Sequence, residues 1–168
     1  MTRDLLTAGI NTVRGSAAES LGDLLNHDPD GSRAALIVPH LSRIAADPSL
    51  DVRACVAHLL HAAIRRDRRA AADAFAVLVQ APDHLLASPY VSRLAVALMH
   101  GDPASVGLLT ERMLHSLVAP VRRVGGQVAA PAAMEWETSD LLAKVLAGND
   151  TAQRQGAADV CAASPEHG

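Results

Sequence analysis

Aromatic residues make up only 2% of the 168-residue chain, with one Phe, one Tyr and one Trp. That scarcity removes the favoured material of pleated sheets and of platforms on which nucleobases stack. Lysine is almost absent as well, since Lys144 stands alone beside fourteen arginines. A net charge of -3 and a pI near 6.2 give no overall pull toward phosphate backbones or anionic membranes. The two cysteines, Cys55 and Cys161, lie far apart in apolar contexts and are expected to be core thiols in a reducing cytoplasm. No run of about eighteen uninterrupted apolar residues exists, so neither a secretory leader nor a membrane span is expected. There is no Gly-x-x-x-x-Gly-Lys-Ser/Thr phosphate loop and no Gly-x-Ser-x-Gly nucleophile elbow.

What is present is helix-forming material. Hydrophobic residues reach 49%, nearly all Ala, Leu and Val, and Ala and Leu are the best helix formers. From Asp51 to Ile64 the apolar positions are Val52, Cys55, Val56, Leu59, Leu60, Ala63 and Ile64, a spacing that makes one broad stripe on a helix. Arg33 to Ala46 predicts a second helix through Ile37, Leu41, Ile44 and Ala45, and Asp47-Pro48-Ser49-Leu50 is a tight turn between the two. Two amphipathic helices on so short a link must pack antiparallel.

The pair recurs. Arg14, Arg53 and Arg93 open similar segments 39 and 40 residues apart, with weaker copies at Arg122 and Arg154 after 29 and 32 more. Partner helices are predicted at Arg69 to Gln80, with Phe75, Ala76 and Val79 inward, at Ala104 to Leu117 and at Ser139 to Ala147. Reversals fall at Asp28-Pro29-Asp30-Gly31, Ala81-Pro82-Asp83, Gly101-Asp102-Pro103 and Gly148-Asn149-Asp150. Residues 118–137 break the pattern, because Gly125-Gly126 costs about 1 kcal/mol per glycine and Pro131 should end or kink a helix.

From Ile37 to Ala57 the sequence resembles a HEAT repeat: Pro39 inside the first helix, an Asp47-Pro48 turn, and Val52-Arg53 opening the second. The resemblance implies an all-α, right-handed superhelix of about four to five helical pairs over residues 1–168, with second helices lining the inner face. On that basis Arg14, Arg53 and Arg93 form a ladder whose guanidiniums bond aspartates such as Asp51 or carbonyls at the repeat junctions. Gly9 to Gly15 is also similar to the repeat arm of large bacterial ATP-binding proteins of the phage-defence kind, which implies a sensor or regulatory segment whose ATPase lies elsewhere. The Ala- and Arg-rich composition fits a bacterial genome. Met1 to Gly9 is short for a first helix and Ala157 to Ala163 has no covering helix after it, so a fragment, or a domain capped by something else, is expected.

Candidate binding residues follow from the repeat register. Glu19 and His58 occupy equivalent positions, and Ala54, His58, His61 and Arg65 make a solvated or partner-facing stripe; Tyr90 and Arg93 extend it. His58 and His61 stand three apart, a spacing that suits metal ligands, yet a third ligand is wanting beyond Glu19, so no metal and no cofactor is expected. HEAT-type deoxyhypusine hydroxylases hold iron through His-Glu dipeptides, and none occurs here. Alkylpurine DNA glycosylases with HEAT-like helices offer a second comparison, in which Arg65, Arg66, Arg68 and Arg69 would meet phosphates. Chromophore-lyase-like HEAT proteins would need an acidic bilin site that the sequence does not identify. Trp136, flanked by two glutamates, is either an interface anchor or a lid over the irregular pair. The expectation is therefore a non-enzymatic protein-binding scaffold, with nucleic-acid binding as the alternative.

Overall fold

A computed structural model describes residues 4–135 and 140–163. Trp136 and His167 lie outside the described residues, and so do the first three residues. The described chain is helical throughout, without strands, and it gathers into two compact units divided between Leu98 and Met99.

Unit 1 contains α1 (Leu5–Ile10), α2 (Val13–Asn26), α3 (Ser32–Ile37), α4 (Leu41–Ala45), α5 (Leu50–Ala63), α6 (Arg68–Leu78) and α7 (Pro89–Met99, whose last residue crosses the division). The single helix expected over 33–46 is split, because a tight 3-10 turn at Val38–His40 separates α3 from α4. Pro39 has no N–H to donate and its ring crowds the preceding turn, so an uninterrupted α-helix cannot form there. A second such turn, Asp83–Ala87, buries Leu85 and Leu86 ahead of α7.

α5 is the axis of the unit. The stripe read from sequence is buried from Val52 to Ala63, but so are Ala54, Ala57 and Ala62, because α1, α2, α4, α6 and the turn before α7 all pack on this helix. A helix that is apolar nearly all round belongs in the interior. Ala54, expected in the solvated stripe, is thus fully buried. On α6 the inward ridge is Ala71, Ala74, Phe75 and Leu78, a 3,1,3 spacing; Ala76, expected inside, is exposed and Val79 is half-buried.

Aspartates write the junctions. Asp4, Asp67 and Asp102 accept backbone N–H groups at the starts of α1, α6 and the helix that opens at Pro103, as the open first turn of a helix requires. Asp28 is buried, and its carboxylate receives Arg33 N at 3.3 Å and Ala34 N at 2.9 Å. Gly31 beside it takes a left-handed φ of 76°, which only glycine adopts without strain.

Unit 2 contains α8 (Pro103–Leu114), α9 (Ala119–Glu135), α10 (Leu141–Ala147) and α11 (Thr151–Ala163). Its inner cluster joins Leu114, Ala129, Ala130, Leu141, Val145 and Ala157. Contrary to the sequence expectation, α9 runs unbroken through Gly125-Gly126 and past Pro131. Tertiary packing supplies the reason. A Cβ on Gly126 would collide with the Gln153 carbonyl oxygen, and a Cβ on Gly156 with that of Arg123, so α9 and α11 approach closer than any side chain permits. The propensity cost of two glycines is offset by that contact. Pro131 forfeits the N–H bond that would run to the Gln127 carbonyl, but it falls four residues from the helix end, so only the last turn follows that gap.

Candidate functional site

The arginines at the helix junctions come first, because they tie the starts of α2, α5 and α9 to neighbouring turns. Arg53 Nε donates to the Asp47 carbonyl at 2.6 Å and its Nη1 to the Gln80 carbonyl at 3.2 Å. Arg122 repeats the arrangement in unit 2, giving one bond to the Ser116 carbonyl at 2.9 Å and one to Asp150 Oδ2 at 2.7 Å. In both, the first acceptor lies six residues back and the second lies in the next turn. Arg14 pairs with Asp47 Oδ2 at 3.2 Å. Asp47 therefore receives both Arg14 and Arg53, whereas Asp51 sits half-buried in the first turn of α5. Arg93 is exposed on α7.

Held in that register, α2, α5 and α7 bring a polar group together. His58 lies directly over Gly22, where a Cβ would come within 2.6 Å of its Cδ2. Its Nε2 is 3.4 Å from Asp23 Oδ1, and its ring centroid is 5.3 Å from that of Tyr90, tilted by 38°. Glu19, one turn before Asp23, points its Oε1 into protein, where no donor among the described residues reaches it.

The electrostatics follow from this packing. Burial pushes the Glu19 carboxyl above its ordinary range and Asp23 adds to the rise, while His58 and the Cys55 thiol oppose it. Cys55 is pushed up to about 11, by burial first and then by Glu19 and Asp51. A thiol that stays protonated is a poor nucleophile and metal ligand. Burial raises Tyr90, with Glu19 next. His61 is held below the usual imidazole value by desolvation, then by His58 and Arg93. Among the described residues no three His, Cys, Asp or Glu side chains converge as metal ligands would.

Comparison with family models, curated proteins and solved structures returned no match to this chain.

Of the residues singled out from sequence, Glu19, His58 and Tyr90 therefore meet, with His61 and Arg93 close enough to act on the group electrostatically. Arg65 does not join them. It follows the end of α5 and lines a hollow of about 170 Å³ with Leu25, Asn26, Ala62 and Arg66. Asp23 and Cys55 were missed, although Asp23 stands four residues after Glu19, where the next turn of the same helix face must carry it. The arginine run is partly consumed by structure: Arg66 donates to the Leu25 carbonyl at 3.2 Å and to that of Asp28, and Arg68 to the Ala97 carbonyl at 3.0 Å.

Unit 2 carries a cleft of about 390 Å³ that sequence reasoning did not anticipate, lined by Met99, Pro103, Leu108, Ala132 and Leu141. At its edge Lys144 bridges Glu111 at 3.2 Å and Asp140 at 2.9 Å.

Proposed function

We propose that the chain is a HEAT-like helical-repeat interaction module that binds a protein partner through the α2–α5–α7 face of unit 1 and carries out no catalysis. One observation carries this reading: successive second helices each contribute a polar side chain, Glu19, His58 and Tyr90, to a single half-buried group. A repeat scaffold works by such display, in which stacked pairs bury a common core and leave one row aligned. The right-handed superhelix that HEAT-like pairs imply is part of the proposal, as is a place in the reducing cytoplasm of a bacterium, within or beside a larger nucleotide-hydrolysing protein. No helix among the described residues is long and apolar enough to cross a membrane.

Nucleic-acid binding is the less supported alternative, because Arg66 and Arg68 already serve backbone carbonyls. Gel retardation at low salt that weakens steeply as salt rises, and that fails in an Arg65→Ala/Arg69→Ala chain, would favour it.

The direct test places a photo-crosslinking residue at Ser16, one turn before Glu19 and exposed, and separately at Leu36, exposed on α3. Partner adducts are expected from position 16 and not from position 36, and Arg93→Glu should abolish them while the helical circular dichroism is retained. Equal adducts from both positions, or adducts indifferent to Arg93→Glu, would overturn the proposal.

A further inference from the structure

Unit 2 leaves a place open between two of its helices. In unit 1, α4 and α6 pack side by side, whereas in unit 2 α8 and α10 hardly meet, and the cleft lies between them. The α8 wall is Ala104, Gly107, Leu108 and Glu111, spaced i, i+3, i+4 and i+7, the stripe by which one helix receives another. Leu108 is 71% exposed, and a Cβ on Gly107 would meet nothing within 4 Å. Across from them Met99, Ala132 and Leu141, all buried, make an apolar floor. A hollow of about 390 Å³ is large enough for the anchoring side chains of a partner.

Charge decides what fits. Among the described residues that line the cleft the two charged ones are both acidic, Glu111 and Asp140. Lys144 reaches them from beyond the lining, at Glu111 Oε1 and Asp140 Oδ2, so the second oxygen of each carboxylate keeps lone pairs to offer and one negative charge stays in excess. All three side chains are exposed, and ion pairs of that kind contribute little, so a second cation enters at small loss. The polar groups nearby are engaged: Asp102 accepts Ser105 N, Thr110 Oγ1 donates to the Val106 carbonyl and His115 Nδ1 to the Glu111 carbonyl.

We propose that the α8–α10 cleft docks a helical segment of a partner protein, which lays aliphatic side chains against Gly107 and Leu108 and presents a lysine or arginine to Glu111 and Asp140. Ala104 and Glu111 stand seven residues apart, about 10 Å along α8, so the basic residue lies about two turns from the aliphatic anchor on one stripe of the incoming helix. Gly107 admits that helix closely, as Gly126 and Gly156 admit α9 and α11 to one another. The unit 1 face plays no part in this docking.

Selection from a displayed library of helical peptides of random sequence, run against the intact chain and against Gly107→Met, tests the proposal. Gly107→Met fills the cleft from a position with free space, and circular dichroism checks that the variant is folded. Peptides kept by the intact chain and lost on Gly107→Met should carry aliphatic residues with a lysine or arginine about two turns away. By fluorescence anisotropy the affinity of such a peptide should fall about fivefold in Glu111→Gln and in Asp140→Asn, and rise about threefold in Lys144→Gln, because all three act on one charge sum. An empty selection, peptides that bind Gly107→Met equally, an acidic consensus, or weaker binding in Lys144→Gln overturns the proposal. Other occupants give other results. An intact chain that sediments as a dimer while Gly107→Met sediments as a monomer fills the cleft with a second copy; peptides that bind only after Trp136→Ala mean that the chain covers the cleft itself. Either result overturns docking of a partner.

Discussion

Unit 1 and unit 2 solve the same problem, packing one long helix against another, with different chemistry. In unit 2, α9 and α11 meet backbone to backbone through Gly126 and Gly156, and the ion pair of Arg123 with Asp159, at 2.8 Å, stays at the edge. In unit 1, α2 and α5 also meet at a glycine, Gly22, but the space is filled by an imidazole, with the half-buried Glu19 and its enclosed Oε1 on the same helix face. A joint made for tightness alone has no use for a carboxylate oxygen without a donor, which costs free energy wherever it is buried. The contrast marks the joint at which the proposed function is to be tested, the one that is chemically worse than packing alone requires.

The comparison breaks most readily at the cores. Leu59→Ala, which hollows the centre of unit 1, should cost about 2 to 5 kcal/mol in denaturant unfolding; a loss under about 0.5 kcal/mol would mean that α5 turns another face inward. In unit 2, Gly156→Ala should cost about 1 to 3 kcal/mol, because the new methyl meets a carbonyl that cannot swing away. Gly107→Ala on α8 is its control. With no atom within 4 Å of the added Cβ, that change should stabilise by about 0.5 to 1 kcal/mol. If both changes act alike, close approach does not explain the glycines of α9 and α11.

Smaller effects sharpen the likeness between units. Arg53→Ala and Arg122→Ala each remove a guanidinium that closes a junction, and each should lose about 1 to 2 kcal/mol by chemical unfolding. Unequal losses would mean that the shared bonding pattern is coincidental. Glu19→Gln has the least effect and the most particular sign. Since burial raises the folded value, the group favours the folded state fully below the ordinary glutamate range, and that contribution is lost as pH rises through the raised value. Ionised Glu19 is therefore a burden at neutral pH. The melting temperature of Glu19→Gln should exceed the parent's by a few degrees near pH 7 and by less as pH falls. His61 runs oppositely: its lowered value stabilises at higher pH, and that stabilisation fades as pH falls through it.

Much of the helical architecture was legible because it is written locally. The α5 stripe, the Asp-Pro turns and the 39-residue spacing that aligned Glu19 with His58 all depend on residues near in sequence. The continuity of α9 was not legible, since what excuses Gly126 is Gln153, on a helix that begins sixteen residues after α9 ends. The same limit explains Ala54, whose burial depends on helices packed around α5 and not on its own period. Arg65 was extrapolated one turn too far along a helix that stops at Ala63. Asp23 could have been found from Glu19 by helical geometry alone.

The two thiols differ as sharply as the two joints. Cys161, expected from sequence to be a core thiol, is exposed on α11, whereas Cys55 is sealed in unit 1 as expected, with its thiol pushed up to about 11. An alkylating reagent applied to the native chain will thus mark Cys161 promptly and leave Cys55 unmarked until unit 1 opens. Arrival of a second adduct, followed by mass spectrometry, becomes a clock for that opening, wound by the protein without any engineered reporter.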